Sequence, residues 1–298
     1  MKVQFYHAIA LSALVASACG RPATSNGPGS EPPVARAQPG AAIPSAPAPP
    51  STPTAEAIEA GRALIERVRA AAGGAKVTAM RRFQATGTSR MSVVPGTRTF
   101  TVRALFPGFY RQEEIPTATG GFGFAVGVEA EDIGWMLGGR LGGEGRSSDP
   151  KVARAAYDRA GSQAMAGVLA GVNAPWLVDS GKFTPIAAGK VEGGDDRDLA
   201  IVNLEGPTGR AGRLLIDPGT FLPRRFIEPP QTGVGGEAGL YDLVFTYSDF
   251  KDVQGVQLPH TIVRRVGNIQ TTWSIANYDL APKLKPADFT RRMAARAK

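Results

Sequence analysis

Residues 239–280 read GLYDLVFTYSDFKDVQGVQLPHTIVRRVGNIQTTWSIANYDL, a stretch that predicts three consecutive β-strands joined by short turns. Tyr241, Leu243, Phe245 and Tyr247 share one face of the first strand; Asp242, Thr246 and Ser248 take the other, with Val244 the exception. This is the period-two alternation of a half-buried strand. Residues 248–253 read as a polar turn, after which Val256, Leu258, Ile262 and Val263 begin the return. Pro259 has no N–H for a ladder, which suits a sheet edge or a bulge. Asn268 follows Gly267 at the next turn, and Thr271, Trp273 and Ile275 fall on one face of the third strand. A meander with one apolar face must bury that face under something.

The candidates for a cover lie upstream. Residues 54–72 predict a helix with Thr54 as N-cap and Glu56 and Glu59 near the positive end of its dipole. Ile58, Ile65, Val68 and Ala72 recur at helical spacing, with Leu64 beside them, and Gly73-Gly74 stops the helix. Strands follow at 77–91, 98–106, 109–115, 121–128 and 133–137. The second of these, with Phe100, Val102, Ala104 and Phe106 on one side, is the cleanest alternation in the chain; the fourth aligns Phe122, Phe124 and Val126. A glycine-rich loop at 138–145 comes next. Asp149-Pro150 then opens a helix at 151–172 whose aligned residues are mostly small: Ala153, Tyr157, Ala160, Ala164 and Val168. Strands resume at 184–191, 199–205, 212–216 and 222–228, with a turn at Asp217-Pro218-Gly219. Two helices beside ten or eleven antiparallel strands, with no βαβ alternation, make an α+β fold: one large curved sheet, helices on one face.

The N-terminus speaks of destination. Lys2, a short apolar run and Ala16-Ser17-Ala18 form an export signal over residues 1–18, too short to anchor as a span. Cys19 follows at once and is the single cysteine of the chain. Residues 20–54 are almost entirely Pro, Ala, Ser, Gly and Thr with three charges, so residues 19–54 read as a tether without a core. At about 3 Å per residue it would reach roughly 100 Å. The remaining chain, about 240 residues, suffices for one domain with a sizeable core.

Chemistry is sparse. Beyond the signal the chain has one histidine, His260, in a strand, which nearly excludes His/Cys metal sites and a serine triad. Residues 138–145 lack Walker spacing. Carboxylates gather at Glu113-Glu114, at Glu129, Glu131 and Asp132, and at Asp195, Asp196 and Asp198; the last group reads as a solvated hairpin tip with a weak calcium site as its alternative. A glycosidase-like pair depends on separation in space, which sequence leaves open. The net charge is +8, concentrated in Lys283, Lys285, Arg291, Arg292, Arg296 and Lys298 near the end. That reads as a solvated basic tail over 290–298, or as attraction to anionic headgroups. Nucleic acid is excluded as a partner by the aromatics lying on strand faces with no basic stripe between them.

Leu14-Val15-Ala16-Ser17-Ala18-Cys19 resembles the bacterial lipobox, with Ala16 where leucine is usual. That resemblance implies diacylation of Cys19; plain signal cleavage is the alternative. LLIDPGTFLPRRF at 214–226 and VFTYSDFKDVQGVQLPH at 244–260, with the order of elements around them, resemble the LolA/LolB-like outer-membrane lipoprotein-sorting proteins. The resemblance spans 55–289. It implies an unclosed half-barrel, lidded by helices, that holds acyl chains, with no cofactor, metal or catalytic residue. The expected protein is a non-catalytic envelope lipoprotein at the outer membrane, facing the periplasm. Its expected partners are a lipid or the acyl chains of a lipoprotein, the membrane through its anchor, and other envelope proteins. Phe100, Val102, Phe106, Phe122, Phe124, Leu243, Phe245 and Tyr247 are the candidate apolar ligand face, and core packing is the alternative for each. Two further functions stay open: a scaffold without a cavity, and a hydrolase built from scattered carboxylates.

Overall fold

The computed structural model describes residues 53–105, 109–117, 122–129, 133–140, 146–147, 183–206, 209–228 and 243–290. The signal, Cys19, the tether, Phe106, the helix expected at 151–172 and residues 291–298 of the basic tail lie outside these.

Helix α1, Ala55–Ala72, begins where Thr54 caps it: the Thr54 hydroxyl oxygen accepts from Ala57 N at 3.1 Å. It ends at Gly73, whose φ of 129° and the +57° of Gly74 are backbone conformations that suit glycine. One face of the helix, Gly61, Ile65, Val68 and Ala72, is buried. The first strand was expected from residue 77. Instead a single-turn helix α2, Ala75–Ala79, intervenes and buries Val77, and the strand starts after Met80.

Among the described residues thirteen strands then form one sheet. In chain order they are β1 Arg82–Met91, β2 Val94–Leu105, β3 Phe109–Pro116, β4 Phe122–Glu129, β5 Ile133–Arg140, β6 Arg146–Ser147, β7 Thr184–Lys190, β8 Ala200–Gly206, β9 Gly209–Ile216, β10 Pro223–Glu228, β11 Leu243–Val253, β12 Val256–Val266 and β13 Ile269–Asp279. Their order across the sheet is β6-β5-β4-β3-β2-β1-β13-β12-β11-β10-β9-β8-β7, antiparallel at every step. Two meanders therefore meet at their oldest and youngest strands, β1 and β13, and the outer edges are β6 and β7. The glycine-rich stretch read as a loop from 138 is strand up to Arg140, and the short β6 pairs back onto it. The unclosed antiparallel sheet with its N-terminal helix is the expected fold class.

Helix α1 fixes the curvature. It packs mainly on β7, and also on β8 and β12, although β9, β10 and β11 lie between these in the sheet. A straight rod can touch both sides of that span only if the sheet bends around it. The face toward α1 is thus concave and holds the main core: Ile65 and Val68 of α1 with Phe100, Val102, Leu214, Phe226, Phe245, Tyr247 and Ile262 of the strands. At one end Gly61 lies so near β7 that an added Cβ would sit 2.5 Å from the Pro185 carbonyl oxygen. At the other, Gly73 approaches Gly255, and Lys76 Nζ donates to Gln254 O at 2.9 Å.

Two local expectations are corrected. Residues 248–253 continue β11, and the reversal falls at Gln254-Gly255, with φ of 57° and 84°. Two consecutive left-handed residues make the type of hairpin turn that matches strand twist, so the chain reverses there. Pro259 is on an interior strand. It pairs with Phe250 of β11, but the β12–β13 ladder begins only at Thr261, so its missing N–H interrupts nothing on that side. Its carbonyl instead accepts from the Tyr278 hydroxyl at 2.6 Å.

Gly61→Val should lower the thermal midpoint by an amount equivalent to about 1–3 kcal/mol, the usual cost of overpacking. Ala63→Val, on the exposed side of the same helix, serves as the control. Equal midpoints by circular dichroism would contradict the close seating of α1 on β7.

Candidate functional site

The sheet has two faces with different chemistry, and residue parity assigns them. On β2, Arg98, Phe100, Val102 and Ala104 look into the concave side, cross-strand from Ser89, Gly87, Ala85 and Phe83 of β1. On the other side of β2, Phe100 is opposite Glu114, Val102 opposite Gln112 and Ala104 opposite Tyr110 of β3. On β13, Trp273 pairs with Ser89 and Thr271 with Met91, and on β12 Ile262 and Arg264 continue the row.

Five of the eight candidate face residues come together here. Phe100, Val102, Leu243, Phe245 and Tyr247 are all buried in one concave cluster. Phe122 and Phe124 belong to β4, where the register sets Phe124 opposite Glu114. Phe106 and Cys19 lie outside the described residues.

The periodicity that found the apolar residues left a polar group among them unremarked. Glu114 is completely buried and accepts three hydrogen bonds. The Ser89 hydroxyl donates to its Oε2 at 2.7 Å, while Gln112 Nε2 and Trp273 Nε1 both donate to its Oε1 at 2.8 Å. The Tyr110 hydroxyl donates to Gln112 Oε1 at 2.9 Å, extending the chain of bonds across β3. The Arg264 guanidinium stands 5.6 Å from the centre of the Trp273 ring, a cation–π contact. Arg264 keeps some solvent exposure, yet protein packs closely enough about it that burial pulls its pKa below the usual arginine range; Glu114 and Glu228 oppose that pull. Burial, and then the charge of Glu228, hold the Tyr247 hydroxyl well above the ordinary tyrosine range, so it is neutral.

Two polar side chains on this face lack partners. Nε and Nη1 of Arg98, and Oγ1 of Thr271, are buried without a hydrogen bond, Arg98 being 5% exposed and Thr271 1%. A clue to Arg98 and Arg264 lay in the sequence: each is a charge on the parity of an apolar row. Trp273 and Thr271 were placed on the correct face.

The Glu113-Glu114 cluster comes apart, and Glu131 and Asp132 of the second cluster lie outside the described residues. Adjacent residues of a strand point to opposite faces, so Glu113 lies behind the sheet from Glu114. There it pairs with Arg111 at 2.6 Å and Arg103 at 3.3 Å. Arg111 Nη1 also donates to Thr290 O at 2.8 Å, and Phe289 is buried against Phe109, ring centres 5.5 Å apart. This convex patch fastens the C-terminal 3-10 turn Pro286–Phe289. At the expected solvated tip, 195–198, Asp195 and Asp198 are exposed, while Asp196 is tied to the sheet through an ion pair with Arg225 at 2.6 Å. Burial raises the Asp196 pKa against the pull of that arginine. Among the described residues no group of three His, Cys, Asp or Glu side chains converges as a metal site. His260 is a packing residue, its ring edge-on to Tyr278 at 5.3 Å.

No family model matches this chain, and no curated protein does. Three solved structures are similar in fold. A DUF1329 family protein from Desulfovibrio piger has 14% identity and a TM-score of 0.46, covering 79% of this chain and 98% of its own. A putative outer membrane lipoprotein-sorting protein domain from Vibrio parahaemolyticus has 12% identity and a TM-score of 0.47, over 78% and 97%. A LolA superfamily protein from Nitrosomonas europaea has 13% identity and a TM-score of 0.39, over 78% and 97%. The half-barrel itself is established by the strand order of this chain.

Replacing Glu114 by leucine strands three donors at once. Each buried unsatisfied group costs about 1–3 kcal/mol, so Glu114→Leu should lose at least about 3 kcal/mol in urea unfolding. Glu114→Gln keeps an acceptor oxygen and should lose less than half of that. Equal losses would mean that the three bonds do not matter to the fold.

Proposed function

We propose that this chain is a non-catalytic envelope lipoprotein whose half-barrel carries a lipid or the acyl chain of a lipoprotein. The observation that carries the reading is the concave face of a sheet that does not close, where Phe100, Val102, Leu243, Phe245 and Tyr247 are buried in one apolar cluster that an acyl chain would have to enter. Concave apolar surface with a few convergent polar groups is the usual make-up of a small-molecule site. The strongest α1 contacts are with β7, β8 and β12, at the far half of the sheet from β2. The acyl chain would lie along the β1–β3 half, displacing the packing that now buries Phe100 and Val102. The separation of Glu113 from Glu114 onto opposite faces speaks against the hydrolase alternative.

Export and anchoring complete the proposal. Residues 1–18 are the signal, Cys19 carries the lipid, residues 20–54 are the tether, 55–289 the carrier domain and 290–298 a basic tail near anionic headgroups. The protein would face the periplasm from the outer membrane. A domain held there on a long leash can reach a donor or acceptor without leaving its membrane.

Native mass spectrometry of the full-length chain from a bacterial host should show a non-covalent adduct with the mass of a fatty acid or phospholipid. Val102→Trp, which fills the proposed chain path, should lower occupancy about tenfold, the effect of roughly 1.4 kcal/mol. A clean apo mass that takes up no added lipid would favour the scaffold. Separately, metabolic labelling with an alkynyl palmitate should mark the wild-type chain and leave Cys19→Ser unmarked; equal labelling would remove Cys19 as the anchor.

A further inference from the structure

We infer that the concave face holds an anionic headgroup site, centred on Arg98 and completed by Thr271 and Arg264, for the carboxylate or phosphate of an amphiphile. The inference rests on the carrier reading and gives its ligand a charge and an orientation.

Burying a guanidinium is costly unless it is paired and hydrogen-bonded. Two other buried charges in the protein show how such groups are partnered. On the convex side both terminal nitrogens of Arg111 are engaged, Nη2 by Glu113 and Nη1 by the Thr290 carbonyl, with only its Nε left over. On the concave side Glu114 is furnished by Ser89, Gln112 and Trp273. Arg98 lies on the same face, cross-strand from Ser89, and is buried to the same degree as these groups, yet Nε and Nη1 bond to nothing. No carboxylate among the described residues forms a salt bridge with it; Glu114, nearest by register, spends both of its oxygens on neutral donors.

Thr271 is reached from Arg98 through β1, by way of the Ser89–Trp273 and Met91–Thr271 pairs, and its hydroxyl is likewise buried and unbonded. Arg264 is the direct cross-strand partner of Thr271. Two cations and a hydroxyl donor thus border the apolar row of Phe100 and Val102, with two acidic neighbours: Glu114, which already accepts from three neutral donors, and Glu228, whose charge acts on Arg264. An arginine fork matches a carboxylate or phosphate in two parallel bonds, and a neutral headgroup offers no such match. The ligand would seat its anion at Arg98 and run its chain past Phe100 and Val102 toward Ala104.

The test uses the full-length protein and four probes: palmitate, hexadecyl phosphate, hexadecanol and inorganic phosphate. Wild type should bind palmitate or hexadecyl phosphate about tenfold or more tighter than hexadecanol, the range of a charge-assisted bond. Arg98→Gln should bring the anions down to the level of hexadecanol while hexadecanol binding stays unchanged, which also shows that the variant is folded. In a Trp135→Phe, Trp176→Phe background, Trp273 should be quenched more by 5-doxyl than by 16-doxyl stearate. Equal binding of palmitate, hexadecyl phosphate and hexadecanol by wild type, or stronger quenching by the 16-doxyl probe, would overturn the headgroup site and leave the carrier intact. Inorganic phosphate competing as well as hexadecyl phosphate would make the ligand a free anion and overturn the amphiphile. Uptake of no chain-bearing probe would remove the carrier and the site together.

Discussion

The pairing of β1 with β13 holds this molecule together. The ladder runs from Gln84–Asp279 to Met91–Thr271, broken once by a bulge between Thr86 and Gly87. On either side of it the chain builds simple hairpins, each strand next to its neighbour in sequence. Without that one long-range ladder there would be two separate meanders, each with an apolar face and nothing to share it with. Because the ladder exists, the apolar rows of both halves merge into one core, and the polar group of Ser89, Glu114 and Trp273 draws members from β1, β3 and β13.

That polar group sits among the apolar rows of the concave face. A fully satisfied carboxylate contributes little net stability over a hydrocarbon replacement, but removing any of its partners is expensive. Such a network fixes the register of the strands that it joins. Here it locks β1, β3 and β13 at the middle of the sheet, beside the stretch in which Arg98 and Thr271 remain unpaired. Rigid surroundings leave these donors little freedom to find partners by local rearrangement.

The fold was legible because strand alternation is a local signal. Tyr247, Phe245 and Leu243, or Phe100 and Val102, announce their face by spacing alone. The Thr54 cap and the Gly73-Gly74 stop did the same for α1. What stayed hidden was set by pairing between distant strands. Glu113 and Glu114 read as one acidic cluster until the pleat put them on opposite sides. Pro259 read as an edge residue because sequence does not say where one ladder ends within an interior strand. The turn after β11 was misplaced since the polar residues of 248–252 mark a solvated strand end as readily as a reversal, while Gln254-Gly255 carries the conformational signature. The polar members of the concave face were passed over for a similar reason: a lone arginine in an apolar row has a meaning only when its cross-strand neighbours are known.

The order of strands also sets the order of folding. The first strand of the sheet waits for the last, so the ladder with the greatest sequence separation cannot form until the whole domain is available. High contact order of this kind slows folding, because loop closure precedes its reward. During that interval β1 presents an open edge with an apolar face, the combination that invites pairing with other chains. For a polypeptide threaded through a membrane N-terminus first, the sheet would be completed on the far side and all at once. The central seam is therefore also a timing device: it keeps the domain unfinished until its final strand is available.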